Sequence, residues 1–431
     1  MSTPLWVLFG VFAGTALLRA PIGLAMIAGG IAYLGVSGQD MGLAAEQILN
    51  SLFGSFVLIA VPMFIFAANV MNAGTISERI FEFSHALMGR FRGGLAHVNV
   101  LVSVIFSGMS GSAIADAVGP GLVEIEMMLK GDRYTKPFAI AVSAASATIG
   151  PIIPPSIPLL LYALVSGTSV GALFLGGVVP GLLMALSMVV VIIIVARRRN
   201  FPAEAPVPWS AFPAILARSA LPILMPVVLL GGIYSGVFTP TEAAAVAALY
   251  ALVLALFVYR AFDFKGLLKI LAESTRSTAV VSMVICGAFI LNYALATEQV
   301  PERVAAWFAS LALSPTAFLI AVNVLFLILG CLFDTTTLLL VLVPLLLPVA
   351  KGLGIDLVHF GVVVVVNMMI GLITPPYGVL LFILGGLMRT PIRAIVRELV
   401  PFIVALIVVL LLITLIPSLV LALPQWAGYR G

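Results

Sequence analysis

Charged side chains are scarce in this sequence. Asp, Glu, Lys and Arg make up 9% of the 431 residues, whereas about 25% is usual for a soluble domain. The mean hydropathy is +1.25, and apolar runs long enough to span a bilayer recur along the chain. A soluble core cannot hold so many runs, so the composition excludes a soluble domain and predicts an all-α polytopic membrane protein.

Cysteine and histidine are also rare, which limits the chemistry available to the chain. Cys286 and Cys331 lie in apolar segments, where we interpret them as small buried residues without a structural disulfide. The three His residues show no metal-ligand spacing, so we expect neither a transition-metal site nor an organic cofactor. The basic residues lie in short loops between apolar runs, which favours membrane topology over nucleic-acid binding.

Proline, in contrast, is concentrated where a membrane helix tolerates it least. IGPIIPPSIP at residues 149–158 holds four prolines, and IGLITPPYGV at 370–379 repeats the pattern 221 residues later. Proline inside a helix removes a hydrogen bond and clashes with the preceding turn, at a cost of about 3 kcal/mol. The two motifs therefore predict two helices that are broken within the membrane.

The proline motifs belong to a longer internal repeat. HVNVL at 97–101 aligns with AVNVL at 321–325, and Pro120 aligns with Pro344, each at an offset of 224. This near-constant offset predicts two repeats, each with scaffold helices, a re-entrant hairpin, a broken helix and a closing helix. In the first repeat, 1–210, these elements are expected at 1–90, 93–130, 137–165 and 171–196, with a cytoplasmic loop over 197–218. In the second, 211–431, they are expected at 219–297, 315–351, 359–388 and 398–423.

The basic residues orient the repeats, because cytoplasmic loops are enriched in Lys and Arg. With the arginines at 197–199 placed inside, every basic residue except Arg303, Lys351 and Arg430 falls on the cytoplasmic side. The first repeat then starts outside and the second inside. We therefore predict inverted repeats with both termini in the periplasm. Opposed hairpins followed by broken helices are typical of secondary transporters, whose sites lie at the midplane.

Small polar residues cluster at the two expected hairpin tips, SGMSGSAIAD at 107–116 and GCLFDTTTLL at 330–339. A broken helix frees backbone carbonyls, and carbonyls at helix C-termini carry partial negative charge. Together with hydroxyls they form an oxygen cage that suits an alkali cation, so we predict two Na⁺ sites. The first comprises Ser110, Gly111, Ser112, Gly150, Ile153 and Pro155. The second comprises Asp334, Thr337, Gly371, Thr374 and Pro376.

Helix N-termini at the tips favour an anionic substrate between these sites. Its candidate contacts are Ser112, Thr148, Ser156, Thr335 and Thr336.

Several alternatives remain open for individual residues. The small residues can simply permit close helix packing, and Asp334 can cap a half-helix. Asp116 is expected to be a local partner of the first tip, and Glu124 and Glu126 are expected to be solvated. Four Asn residues at matched positions either join helices by hydrogen bonds or touch ligand; they are Asn69, Asn99, Asn292 and Asn323.

Two other functional classes fit less well. GMSG at 108–111 matches the G-x-S-G of rhomboid-type intramembrane proteases, but a serine enzyme needs a base within reach of Ser110. A channel would keep a continuous pore, whereas two broken helices with oxygen-rich tips favour ion-coupled alternating access.

One segment carries a family resemblance. GGIYSGVFTPTEAAAVAALYAL at 231–252 resembles the signature of the large membrane subunit of TRAP (tripartite ATP-independent periplasmic) transporters. RAPIGLAM at 19–26, SGMSGSAIAD and GPIIPPS fit the same family. Within the signature, Thr239 or Thr241 is predicted to cap a helix, with Pro240 in its first turn and Glu242 favoured by the dipole. Docking of a periplasmic partner at this face is the alternative role.

The resemblance implies a transporter rather than an enzyme, with an elevator-type fold of the ion transporter superfamily. It implies Na⁺-driven import of a small organic acid, such as sialic acid or a C4-dicarboxylate, across the bacterial inner membrane. The implied partners are a small membrane subunit of about four helices and a periplasmic substrate-binding protein. A single-component Na⁺/carboxylate symporter without a binding protein is the alternative.

Overall fold

The computed structural model describes residues 2–72 and 76–431, and every regular element in that part of the chain is helical. The first half contains α1 Thr3–Leu17, α2 Ile22–Val36, α3 Gly42–Gly54, α4 Val57–Asn72, α5 Ile76–Met88, α6 Gly94–Ser110, α7 Ala113–Val118, α8 Pro120–Leu129, α9 Lys136–Ala147, α10 Ile157–Ser166 and α11 Val170–Arg199. The second half contains α12 Phe212–Tyr234, α13 Pro240–Val253, α14 Phe264–Thr297, α15 Val300–Ser310, α16 Pro315–Gly330, α17 Thr335–Gly352, α18 Leu357–Gly371, α19 Val379–Leu387, α20 Ile392–Leu415 and α21 Ser418–Trp426.

Six of the described helices are long and apolar enough to cross a membrane: α11, α12, α13 with its π-helical extension to Val258, α14, α17 and α20. The pair α3 and α4, bent by 71°, makes a seventh if it counts as one span. Large apolar side chains such as Phe53 and Val227 are exposed, as expected for a surface that faces lipid. The prediction of an all-α polytopic membrane protein is confirmed.

The order of helices recurs along the chain. Helices α6, α9, α10 and α11 begin at residues 94, 136, 157 and 170, and α16, α18, α19 and α20 begin at 315, 357, 379 and 392, each 221 or 222 residues later. One pair differs, because the bent α3 and α4 occupy the place that the continuous, 34-residue α14 takes in the second half. At this bend Thr241 donates a 2.9 Å hydrogen bond to the carbonyl of Phe56, so a neighbouring helix satisfies a backbone acceptor there.

The three arginines at 197–199, which were expected to begin the loop over 197–218, are instead part of a helix. Helix α11 continues through Arg199, and Asn200 ends it in a left-handed conformation, with φ of 51°. Arg199 also forms a 2.8 Å ion pair with Glu398 of α20, which joins the last helix of the first half to the second half. The next helix, α12, already begins at Phe212.

Asparagine side chains join helices by hydrogen bonds, as one of the two interpretations expected. The amide of Asn99 in α6 donates to Ser143 of α9 at 2.5 Å, and Asn323 in α16 donates to Thr414 of α20 at 2.9 Å. Asn69 and Asn292 make similar bonds, to Ser274 and to the carbonyl of Leu340. The bonds of Asn99 and Asn323 hold the first arm of each hairpin against a later helix, and all four bonds satisfy amides that would be costly to leave unpaired in an apolar interior.

The PTEAAA segment begins a helix in the way the sequence predicts. Thr239 is the N-cap of α13 and Pro240 its first residue. The Thr239 hydroxyl accepts a bond from the Glu242 amide at 3.3 Å, and the Glu242 carboxylate accepts one from the Thr239 amide at 2.7 Å. This reciprocal capping box satisfies two donors that would otherwise be free.

Replacing Thr239 with Ala should lower the free energy of unfolding by about 1 kcal/mol, because the helix loses its cap. The measurement is a denaturant titration of the purified chain in detergent micelles. Thr239→Ser, which keeps the hydroxyl, is the matched control and should stay close to the unmodified chain. Equal stability of the Ala and Ser variants would contradict this role of the hydroxyl.

Candidate functional site

The first hairpin turns through two residues, Gly111 and Ser112, between α6 and α7. Helix α6 ends at Ser110, which is fully buried, and Gly111 adopts a left-handed conformation with φ of 61°. Ser112 then caps α7 by accepting a 3.4 Å bond from the Ala115 amide. The backbone is therefore not helical at Gly111 and Ser112, which lie within the expected tip over 107–116.

The first broken helix consists of α9, which ends at Ala147, and α10, which begins at Ile157. Between them, Thr148 donates to the carbonyl of Ala145 at 2.6 Å, and Pro155 follows a cis peptide bond. Ser156 caps α10 by accepting a 3.1 Å bond from the Leu159 amide, and it donates to the carbonyl of Pro151. The break contains three prolines, Pro151, Pro154 and Pro155, which supply carbonyl acceptors but no amide donors. It is therefore rich in hydrogen-bond acceptors.

The first tip contacts the first break directly. A Cβ atom placed on Gly111 would lie 2.5 Å from the carbonyl oxygen of Pro155 and 3.4 Å from the amide nitrogen of Ile157. Two independent constraints, the positive φ and this close approach, therefore require glycine at 111. The side chain of Ile153 instead packs towards Gly181 of α11, so only its backbone is available to a cage.

Asp116 is a further member of this cluster, although the sequence indicated only a local partner of the tip. Ser110 donates a hydrogen bond to Oδ1 of Asp116, as a local partner requires. The other carboxylate oxygen, Oδ2, lies 2.2 Å from the position that a Cβ on Gly150 would take, so Asp116 also reaches the break. The signal for this was helical spacing, because Asp116 lies four residues after the capping Ser112 and so on the same face.

Glu124 does not lie where the sequence predicted. It was expected to be solvated together with Glu126, but only Glu126 is exposed, and Glu124 has 2% of its surface accessible. Residues two positions apart on a helix are separated by about 200° around its axis. Glu124 and Glu126 therefore cannot both face water when one side of the helix is packed against the protein. Its Oε1 atom has no hydrogen-bond partner among the described residues.

The second tip has a different chemical character. Asp334 is the N-cap of α17, and its Oδ2 accepts bonds from the amide of Thr337 at 3.1 Å and from its hydroxyl at 3.4 Å. The cap is thus present, as one interpretation of Asp334 expected. A carboxylate that caps a helix keeps further lone pairs, so this bond is compatible with a bound cation.

The second tip also meets its own break. A Cβ on Gly371 would lie 2.7 Å from the carbonyl carbon of Gly330, so the two backbones are in contact. Beyond Gly371 the chain leaves the helix; Thr374 donates to the carbonyl of Ile370 at 2.7 Å, and Pro376 follows a cis peptide bond. In both halves, therefore, the tip of the hairpin touches the break that follows it.

The two clusters differ in exposure. Ser110, Gly150 and Pro155 are buried, whereas Asp334 and Pro376 are exposed. The candidate substrate contacts divide in the same way: Thr148 and Ser156 are fully buried, while Ser112 and Thr336 are partly accessible and Thr335 is 9% exposed.

Packing brings the two halves together at these clusters. Helix α10, which leaves the first break, packs against α17, which leaves the second tip. Helix α19, which leaves the second break, packs against α7 and α9 of the first half. The helices next to the tips and breaks of the two halves therefore pack against each other, although the hydrogen bonds of the substrate candidates are local to each half.

Replacing Gly111 with Ala should destabilise the chain more than replacing Gly167, which ends α10 with φ of 70°. Both variants place Ala in a left-handed conformation, at a cost of roughly 1–2 kcal/mol. Only the Gly111 variant also pushes the tip away from Pro155, because a Cβ on Gly167 has nothing within 4 Å. Thermal unfolding in detergent measures the difference, and equal melting temperatures would show that the contact adds nothing.

Comparison with known proteins adds to this geometry. Residues 9–419 match the family model described as "Tripartite ATP-independent periplasmic transporter, DctM component". The sialic acid TRAP transporter large permease protein SiaM of Vibrio cholerae is 41% identical over 388 residues, which cover 89% of this chain and 90% of that protein. The C4-dicarboxylate TRAP transporter large permease protein DctM of Pseudomonas aeruginosa is 41% identical over 373 residues, covering 86% and 87%.

A solved structure shares the fold. The YdaH transporter of Alcanivorax borkumensis superposes with a TM-score of 0.62 at 16% identity, over 89% of this chain and 87% of that one. At such low identity the likeness concerns the fold alone. The family match and the two relatives span most of the chain, so the resemblance seen in the sequence is confirmed: the chain belongs to the tripartite ATP-independent periplasmic transporter family, as its DctM component.

Proposed function

We propose that this chain is the transport subunit of a Na⁺-coupled importer of a small organic acid in the bacterial inner membrane. The observation that carries the proposal is that each hairpin tip touches the proline break of its own half, through Gly111 and Pro155 and through Gly330 and Gly371. Membership of the permease family supports the transport role.

Two Na⁺ ions would be held by the oxygen atoms at these contacts. In the first half these are the hydroxyls of Ser110 and Ser112 and the carbonyls at the break from Gly150 to Pro155. In the second half they are the carboxylate of Asp334, the hydroxyl of Thr337 and the carbonyls between Gly371 and Pro376. Na⁺ supplies positive charge that screens these oxygens from one another, and the protein supplies the oxygens in place of water.

The substrate is proposed to be a carboxylate, bound in the region that the two clusters surround. Helices α10 and α17 begin there, and the amide groups at a helix N-terminus favour an anion. Ser156 and Thr335 at these N-termini, with Ser112, Thr148 and Thr336 nearby, are the candidate contacts. The relatives are named for sialic acid and C4-dicarboxylates, and both classes carry the carboxylate that such a site requires.

Transport is proposed to follow an elevator mechanism with inverted repeats. Bound Na⁺ would join each tip to its break, so that hairpins and broken helices move as one body against the scaffold helices. Bare charge in lipid is costly, which favours movement of the fully loaded or the empty carrier only. A small membrane subunit and a periplasmic substrate-binding protein are the proposed partners.

The test is uptake into proteoliposomes that contain this chain and its small subunit. Labelled sialic acid and C4-dicarboxylates are supplied with and without an inward Na⁺ gradient, and with and without the periplasmic protein. Uptake that needs the gradient and all three proteins is the expected result. Uptake that needs Na⁺ but no binding protein would instead identify a single-component symporter, and uptake indifferent to Na⁺ would overturn the coupling.

Replacing Asp334 with Ala should raise the Na⁺ concentration that gives half-maximal uptake, because the second site loses its carboxylate. Asp356→Ala is the matched control: Asp356 caps α18 with bonds to the amides of Val358 and His359, so its loss also costs about 1 kcal/mol of cap energy. Na⁺ activation is measured as initial uptake rate against Na⁺ concentration. Identical activation curves for both variants would remove Asp334 from the site.

A further inference from the structure

Two buried carboxylates lie in the first hairpin without a cationic partner. Asp116 and Glu124 each have 2% of their surface exposed. The ion pairs among the described residues join Arg133 to Glu204, Arg199 to Glu398 and Lys269 to Glu273, so neither carboxylate takes part in one. An anion that is buried in this way is costly unless a cation, a proton or several donors compensate it.

The surroundings of Asp116 point to what compensates it. Its Oδ1 accepts a hydrogen bond from Ser110, whereas Oδ2 has no partner among the described residues. Oδ2 is directed at Gly150, which lies in the first break, three residues after the end of α9 at Ala147. A buried carboxylate oxygen without a partner thus lies against Gly150, one of the residues proposed for the first Na⁺ site, where a positive ion would compensate its charge.

The hydrogen bond from Ser110 also prepares its own oxygen for a cation. Because the hydroxyl proton points towards Asp116, the lone pairs of Oγ are turned away from it. One of them receives only a long bond, 3.4 Å, from the amide of Ser112. A hydroxyl whose proton is fixed elsewhere is a better cation ligand than one free to rotate, since no proton competes for the position of the ion.

We infer that Asp116 is the charged ligand of the first Na⁺ site, with Oδ2 bound directly to the ion; this inference rests on the proposed function. Each half then holds one carboxylate at its tip, Asp116 in the first and Asp334 in the second. Asp116 is buried and Asp334 is exposed. The charge of an ion in the first half must therefore be balanced by the protein and not by water.

Stability in Na⁺ tests this role without using transport. The chain is purified in detergent, and its melting temperature is measured in NaCl and in choline chloride of equal ionic strength. An ion that binds only the folded chain raises the melting temperature. Asp116→Asn keeps the size and the bond to Ser110 but removes the charge, so half-maximal stabilisation should need roughly tenfold more Na⁺.

Asp116→Asn should also melt no lower than the unmodified chain in choline chloride, because the buried charge is gone. A residue that only stabilises the fold would give the opposite result. Its loss would lower the melting temperature in choline chloride and leave the Na⁺ dependence unchanged. That result would overturn the inference. Glu126→Gln is the matched control, since it removes a charge from an exposed face of the same hairpin, and its Na⁺ dependence should equal that of the unmodified chain.

Two further measurements separate this inference from the proposed function. Asp334→Ala isolates the first site, and adding Asp116→Asn to it should raise the Na⁺ concentration needed for half of the remaining Na⁺-specific stabilisation roughly tenfold. Gly150→Ala places a methyl group against Oδ2 and should weaken Na⁺ stabilisation although Asp116 is intact. If the unmodified chain shows no Na⁺-specific stabilisation, Na⁺ coupling and the role of Asp116 both fail. If it is stabilised and Asp116→Asn responds equally, only the role of Asp116 fails.

Discussion

The backbone carbonyls released where a membrane helix breaks are the constraint on which the rest of this structure depends. In the hydrocarbon core of a membrane an unpaired carbonyl has no water to hydrogen-bond with, so a helix break is stable only where protein or a polar cavity surrounds it. Here each break is covered by the hairpin tip of its own half, through the contact of Gly111 with Pro155 and of Gly330 with Gly371. The asparagine bonds of the hairpin arms, such as Asn99 to Ser143, hold those tips in place.

The same constraint explains why small residues occupy the contacts. Backbone can reach backbone only where neither chain carries a Cβ in between, and at 111 the left-handed conformation adds a second reason for glycine. Close packing and ion binding are therefore not competing explanations of these residues. A tip that packs tightly on a break places hydroxyls close to backbone carbonyls, and helices α10 and α17, which leave the first break and the second tip, pack against each other.

The two halves are alike in order but not in surroundings. The first cluster is enclosed and contains the buried Asp116, whereas the exposed Asp334 in the second caps a helix. Similarly, the bent pair α3 and α4 lies where the second half has one continuous helix, and Thr241 of α13 donates a hydrogen bond to the carbonyl of Phe56 at the bend. Sequence offsets detect that two segments correspond; they do not reveal how differently each is covered by the rest of the chain.

The sequence by itself left the asparagines open between helix-joining bonds and ligand contact, but it determined the class of protein, the two proline breaks and a helix cap at Thr239 or Thr241. Each follows from local chemistry: apolar runs long enough to span lipid, proline without a donor, or a cap residue ahead of Pro and Glu. Only the tertiary structure decided that Glu124 is buried rather than solvated and that Asp116 reaches Gly150. Burial and long-range contact depend on which face of a helix packs against another helix. In a sequence this apolar most helix faces have a similar composition, so the pattern does not show which face is packed.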